Sequence, residues 1–129
     1  MNDKVYYYFK EISKIPRETY HIDEISDYLV RFAKERNLEV YQDEVKNVII
    51  KKDASVGYED ASPIILQAHM DMVCQKEDNS SHDFSYDGIE IIEENGVLRA
   101  DGTTLGADDG IGVAMILSVL DSPLNSPKI

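Results

Sequence analysis

The order of apolar patterns along this 129-residue chain predicts an α/β fold. Three observations carry that expectation: two amphipathic stretches of helical period open the chain, short β-branched runs follow, and a nearly all-apolar helical stretch comes last. The length suits one ordinary domain. Hydrophobic residues make up 43% and charged residues 29%, enough apolar material for a core and too much for wholesale disorder.

Val5, Phe9, Ile12 and Ile15 recur at spacings of three and four, so the first helix ends at Pro16, which cannot continue it. Ile22, Ile25, Tyr28, Leu29, Phe32 and Ala33 form the stripe of a second helix over about 21–36. Strands are expected at 39–43 and 47–52, the second dominated by Val48, Ile49 and Ile50. A polar loop then leads to 63–68, where Ile64-Ile65-Leu66 is short and β-branched enough for an interior strand. Asn95-Gly96 between 89–93 and 97–100 is a hairpin turn signal. A glycine-punctuated loop over 101–110 precedes a buried helix over 111–120, closed by Ser122-Pro123. A strand, loop and buried helix normally feed a further parallel strand, so the sequence reads as part of a longer domain.

Charge excludes several partners. Thirteen Lys and Arg stand against 25 Asp and Glu, and a formal net charge of −12 opposes nucleic acid and anionic membranes. No apolar run reaches the ~18 residues of a membrane span, and Met1-Asn2-Asp3-Lys4 does not begin a secretory signal. One cysteine, Cys74, cannot close an intrachain disulfide, which favours the reducing cytoplasm.

Two polar constellations can carry chemistry: His69-Met70-Asp71 at the exit of the expected strand, and Gly106-Ala107-Asp108-Asp109-Gly110 before the last helix. Alternate residues on a strand share a face, so His69 and Asp71 point the same way. Imidazole and carboxylate donors together suit zinc, with Asp108 or Asp109 as a further oxygen ligand. Each motif alone also has a plainer reading, as a hydrogen-bonded structural histidine or as acids at a helix N-terminus. Together they place charge at the edge of a core, where it needs a partner. An EF-hand fails because Leu105 and Gly112 fall where oxygen ligands belong, and the glycines spell no phosphate-binding loop. Cys74 lacks a cationic neighbour in sequence to activate it, His21 and His82 read as surface residues, and Glu93-Glu94 reads as a solvated face.

Leu66-Gln67-Ala68-His69-Met70-Asp71-Met72-Val73-Cys74-Gln75-Lys76, followed by Asp101-Gly102-Thr103-Thr104-Leu105-Gly106-Ala107-Asp108-Asp109-Gly110-Ile111-Gly112, resembles the aminoacylhistidine (Xaa-His) dipeptidases, carnosinase-type members of the di-zinc exopeptidases. Ile15-Pro16-Arg17 and the segment 47–52 are in keeping. The resemblance implies a partial zinc-exopeptidase catalytic domain, a mixed sheet flanked by helices, occupying residues 1–129, with the rest of that domain and a lid or dimerisation domain lying elsewhere.

It further implies that His69 binds one zinc, that Asp71 orients the histidine, and that Asp108, ahead of a cis peptide bond, bridges two zinc ions, with Asp109 the lesser candidate. Manganese or cobalt are possible substitutes. The implied activity is hydrolysis of Xaa-His and related dipeptides by a cytoplasmic homodimer. The general-base glutamate belongs to a Glu-Glu pair after the last helix, and Glu93-Glu94 stands out of order for it, so these 129 residues alone are expected to be inactive. Two rival readings are another di-zinc exopeptidase or deacylase, such as a tripeptidase, and a non-catalytic domain binding a partner through its acidic face.

Overall fold

A computed structural model describes residues 2–129. Three helices, α1 (Asn2–Ser13), α2 (Asp23–Glu35) and α3 (Ala107–Leu120), pack around one core, with strands β1 (Glu39–Gln42), β2 (Val48–Lys51), β3 (Ile91–Glu94) and β4 (Val97–Ala100) at its margins. The α/β class holds.

The core forms where the helical stripes meet. Phe9 and Ile12 of α1, Ile25 and Phe32 of α2, and Ala114 and Leu117 of α3 are all buried in one cluster. Helix α2 ends because Asn37 takes a left-handed conformation, φ 54°. That turn lets the Asn37 N–H donate to the Lys34 carbonyl and the Leu38 N–H to the Ala33 carbonyl, satisfying carbonyls that the helix leaves free.

Each strand pair is an antiparallel hairpin. Glu39 faces Lys51 and Gln42 faces Val48 in the first, and Ile91 faces Ala100 and Glu94 faces Val97 in the second. Asn95 and Gly96 close the second with φ of 52° and 76°, the paired positive values that a two-residue turn of this hand requires.

Three expectations need correction. Among the described residues the strands form two separate two-stranded ladders rather than one mixed sheet. Residues 63–68 lie in no ladder: the Ile64 N–H donates to the Lys128 carbonyl at 2.8 Å, but Ile65 is 90% exposed. The apolar run is there, and the neighbouring strands that would make it an interior strand are not. Helix α3 begins at Ala107 rather than 111, with Asp108 and Asp109 held in non-helical backbone angles inside it. It is also covered on one side only, since Ile111 and Met115 are exposed.

Away from Ile111 and Met115, Val113, Ile116, Leu117 and Leu120 of α3 border an apolar groove of about 600 Å³. Val48 and Ile50 of β2, Ile64 and Leu66 of the irregular segment, and Val113 and Leu117 of α3 are among the residues that line it. Lys128 and Ile129 sit at its head, where Ile129 and Lys52 exchange reciprocal backbone hydrogen bonds. No helix among the described residues is long and apolar enough to cross a membrane.

Candidate functional site

His69 and Asp71 lie in the irregular segment between residues 63 and 75, and Asp108 lies in the first turn of α3. The fold brings them together. His69 Nδ1 is 3.0 Å from Asp71 Oδ1, and Nε2 is 3.1 Å from Asp108 Oδ1, across 39 residues of chain. The Asp108–Asp109 peptide is cis. Asp109 does not join them, because its carboxylate folds back over Gly112, where an added Cβ would collide with it.

The electrostatics give the imidazole a direction. Burial works against its charged form, but the hydrogen bonds to Asp108 and Asp71 outweigh that and hold its pKa above the usual histidine value. An imidazolium donates to both carboxylates. When it loses the Nε2 proton, Nδ1–H stays on Asp71 and a lone pair faces Asp108. The Thr19 hydroxyl donates to Asp71 Oδ2 at 2.6 Å, and this bond first, followed by His69, keeps the Asp71 carboxyl below the usual carboxylate range.

Two residues the motifs did not single out complete the arrangement. Thr19 anchors the far oxygen of Asp71. Arg17 is 2% exposed and donates from Nη1 to the Met70 carbonyl at 3.2 Å and from Nη2 to the Gly106 carbonyl at 2.8 Å. The Met72 N–H returns a hydrogen bond to the Arg17 carbonyl at 2.9 Å. Ile15-Pro16-Arg17 is in keeping with the family resemblance, but no sequence signal marks this arginine as buried, since a loop arginine is ordinarily exposed.

The donor set passes a simple test for zinc. Bonds of about 2.0–2.2 Å at a tetrahedral angle put an imidazole nitrogen and a carboxylate oxygen about 3.3–3.6 Å apart on one ion. The observed 3.1 Å is close to that. Asp108 is 99% exposed at its side chain, which leaves its other oxygen open to a second ion. The set is also incomplete, for no group of three or more His, Cys, Asp or Glu converges among the described residues.

The remaining candidates fall away. Burial first, and then Glu18, push the Cys74 thiol up, which fits packing rather than nucleophilic attack. His21 is exposed, as expected, but His82 is half-buried, its ring centroid 4.5 Å from that of Phe84 in an edge-on arrangement, a correction to its surface reading. Glu93 and Glu94 stand on β3, where the Tyr6 hydroxyl donates to Glu93 at 2.5 Å.

The site is thus built on an α/β unit that sets a His-x-Asp segment against an acidic first helical turn. No family model matches the chain. The chain is 45% identical over 112 residues to the cytosol non-specific dipeptidase of Escherichia coli, an alignment covering 87% of this chain and 23% of that protein. The crystal structure of aminoacylhistidine dipeptidase from Vibrio alginolyticus superposes with a TM-score of 0.94 at 39% identity, over 98% of this chain and 26% of that one. A tripeptidase from Staphylococcus aureus shares the fold at a TM-score of 0.77 and 24% identity, over all of this chain and 35% of that one. The chain is thus similar to a fragment of these dipeptidases and spans about a quarter of their length.

Proposed function

We propose that these 129 residues form the part of a zinc dipeptidase that supplies His69 and Asp108 as metal ligands and Asp71 as the carboxylate that orients His69. The observation that carries this reading is the approach of His69 Nε2 to Asp108 Oδ1 at 3.1 Å with Nδ1 already committed to Asp71. Bound there, zinc would act as a Lewis acid on a scissile carbonyl and lower the pKa of a water.

The chain's own residues prepare that state. Asp71, fixed by Thr19, keeps the ring proton on Nδ1 and so directs the Nε2 lone pair outward. Asp108 has one oxygen beside His69 Nε2 and the other open, the arrangement a bridging carboxylate needs. The remaining ligands, the general-base glutamate and the rest of the catalytic domain come from outside these residues, in an enzyme that acts on Xaa-His and related dipeptides in the cytoplasm. The names and lengths of the relatives support that assignment, as does a site with two of the three protein ligands that open zinc sites use.

Two measurements test the proposal. Zinc titrated into the 129-residue protein should shift the His69 ring resonances at millimolar concentration and leave those of His21 and His82 in place. No hydrolysis of a Xaa-His dipeptide is expected. Hydrolysis that survives purification and disappears in Asp71→Ala would overturn the claim that the other groups are needed, and zinc that moves His21 first would overturn the site.

A further inference from the structure

Arg17 is a buried cation with no carboxylate within ion-pair distance among the described residues. Burying an unpaired guanidinium is costly, and burial does depress its pKa, though an arginine stays charged. Its partners are backbone carbonyls from two segments far apart in sequence. Nη1 donates to Met70 and, at 3.4 Å, to Asp71, while Nη2 donates to Gly106 at 2.8 Å. Met70 and Asp71 carry the His69 segment, and Gly106 stands two residues before Asp108.

The glycines of the second motif are shaped to this side chain. A Cβ on Gly106 would lie 2.6 Å from Arg17 Nη2 and 2.7 Å from Met72 Sδ, and a Cβ on Gly110 would lie 2.7 Å from the same Nη2. Neither contact is sterically possible without displacing the guanidinium. Gly106 also has φ 73°, which a side chain disfavours.

We infer that Arg17 is a positioning residue: its guanidinium, seated against Gly106 and Gly110, ties the two motif segments together and sets the separation of His69 from Asp108. A planar fork suits this task, since its two ends donate to different segments at once, which a lysine ammonium does less well. Ligand geometry of this kind has to be held to about 0.5 Å. Reading that separation as a metal-ligand separation rests on the function proposed above. The clamp itself does not.

The test uses long-range ¹H–¹⁵N spectra of the imidazoles in the 129-residue protein, without metal and at a pH low enough that His69 is an imidazolium donating from both nitrogens, for wild type, Arg17→Met, Arg17→Lys and Gly106→Ala. In Arg17→Met the hydrogen-bond signature at His69 Nε2 should be lost while that at Nδ1, whose partner lies on the same segment, persists and the amide spectrum stays folded. Arg17→Lys should recover part of the Nε2 signature. Gly106→Ala keeps the arginine but evicts it, so it should reproduce the Arg17→Met pattern and decides the matter if Arg17→Met does not fold. An unchanged Nε2 signature in either folded variant overturns the clamp, and so does loss of both ring signatures together, which would mark a general packing role. Zinc is added as a separate arm, in which Arg17→Met should bind about tenfold more weakly than wild type. Wild-type His69 that ignores zinc sinks the metal reading and leaves the clamp standing, whereas the metal-free spectra sink the clamp whatever zinc does.

Discussion

Replacing Asp71 by Asn keeps the shape of the side chain and reverses its hydrogen-bonding logic. The carboxylate accepts from His69 Nδ1 at 3.0 Å and from Thr19 Oγ1 at 2.6 Å. An amide satisfies Thr19 with its oxygen and then turns its NH₂ toward Nδ1, which favours the tautomer with the proton on Nε2. That proton blocks the lone pair that faces Asp108. A hydrogen bond to a charged group contributes about 1.5–3 kcal/mol, and the half-exposed His69 ring argues for the lower end. About 1.5 kcal/mol corresponds to roughly a tenfold loss of zinc affinity, within the range found when such supporting carboxylates are removed. Isothermal titration or His69 ring shifts with zinc measure it, with Asp109→Asn as the control. Asp109 faces Gly112 rather than the histidine, so that variant should stay within about twofold of wild type. If Asp71→Asn binds zinc as tightly as wild type, or Asp109→Asn loses as much as Asp71→Asn, the orientation argument is wrong.

Other outcomes follow from packing and charge. Ile12 is fully enclosed whereas Leu117 borders the open groove, so in urea unfolding Ile12→Ala should cost about 3–4 kcal/mol and Leu117→Ala about 1 kcal/mol less, and equal costs would contradict the groove. A Cβ on Gly88 would sit 2.7 Å from the Lys14 backbone, so Gly88→Ala should lower stability by about 1–3 kcal/mol, checked by its thermal midpoint; a neutral result refutes the close approach. Asp121 has its pKa pulled down to about 2, because the hydrogen bonds from Lys4, Arg36 and Tyr8 outweigh its burial. A carboxyl depressed in the folded state stabilises it above the ordinary pKa and loses that contribution as pH falls toward 2. Wild type should therefore exceed Asp121→Asn by about 1 kcal/mol at pH 6 after allowance for solvent screening, and the gap should close by about pH 2. A gap that widens on acidification refutes it.

Periodicity located α1 and α2, because Phe9 and Ile12, or Ile25, Leu29 and Phe32, advertise a face by spacing alone, whereas α3 was read from its nearly unbroken apolar run. The hairpin was legible for a similar reason, since Asn95 and Gly96 take positive φ at low cost. The interior strand at 63–68 was not, because a ladder depends on neighbours and a sequence shows only the candidate. The start of α3 was obscured by Asp108 and Asp109, whose backbone leaves helical angles while the helix continues around them. Within the site, His69, Asp71 and Asp108 were visible as chemical types at short spacings. Arg17 and Thr19 were not, since each reaches its partners across more than 50 residues and neither belongs to a periodic stripe.

The groove beside α3 also bears on how the molecule behaves as a colloid. Its walls expose Ile64, Ile65 and Leu66 to water on a chain of net charge −12. At ~0.01 M salt, repulsion between such polyanions reaches about 30 Å and keeps these mouths apart; near 1 M it reaches about 3 Å, and apolar contact is no longer opposed. Concentrating the protein in dilute buffer should hold it monodisperse, while high salt, often added to protect a protein in solution, should raise its light scattering.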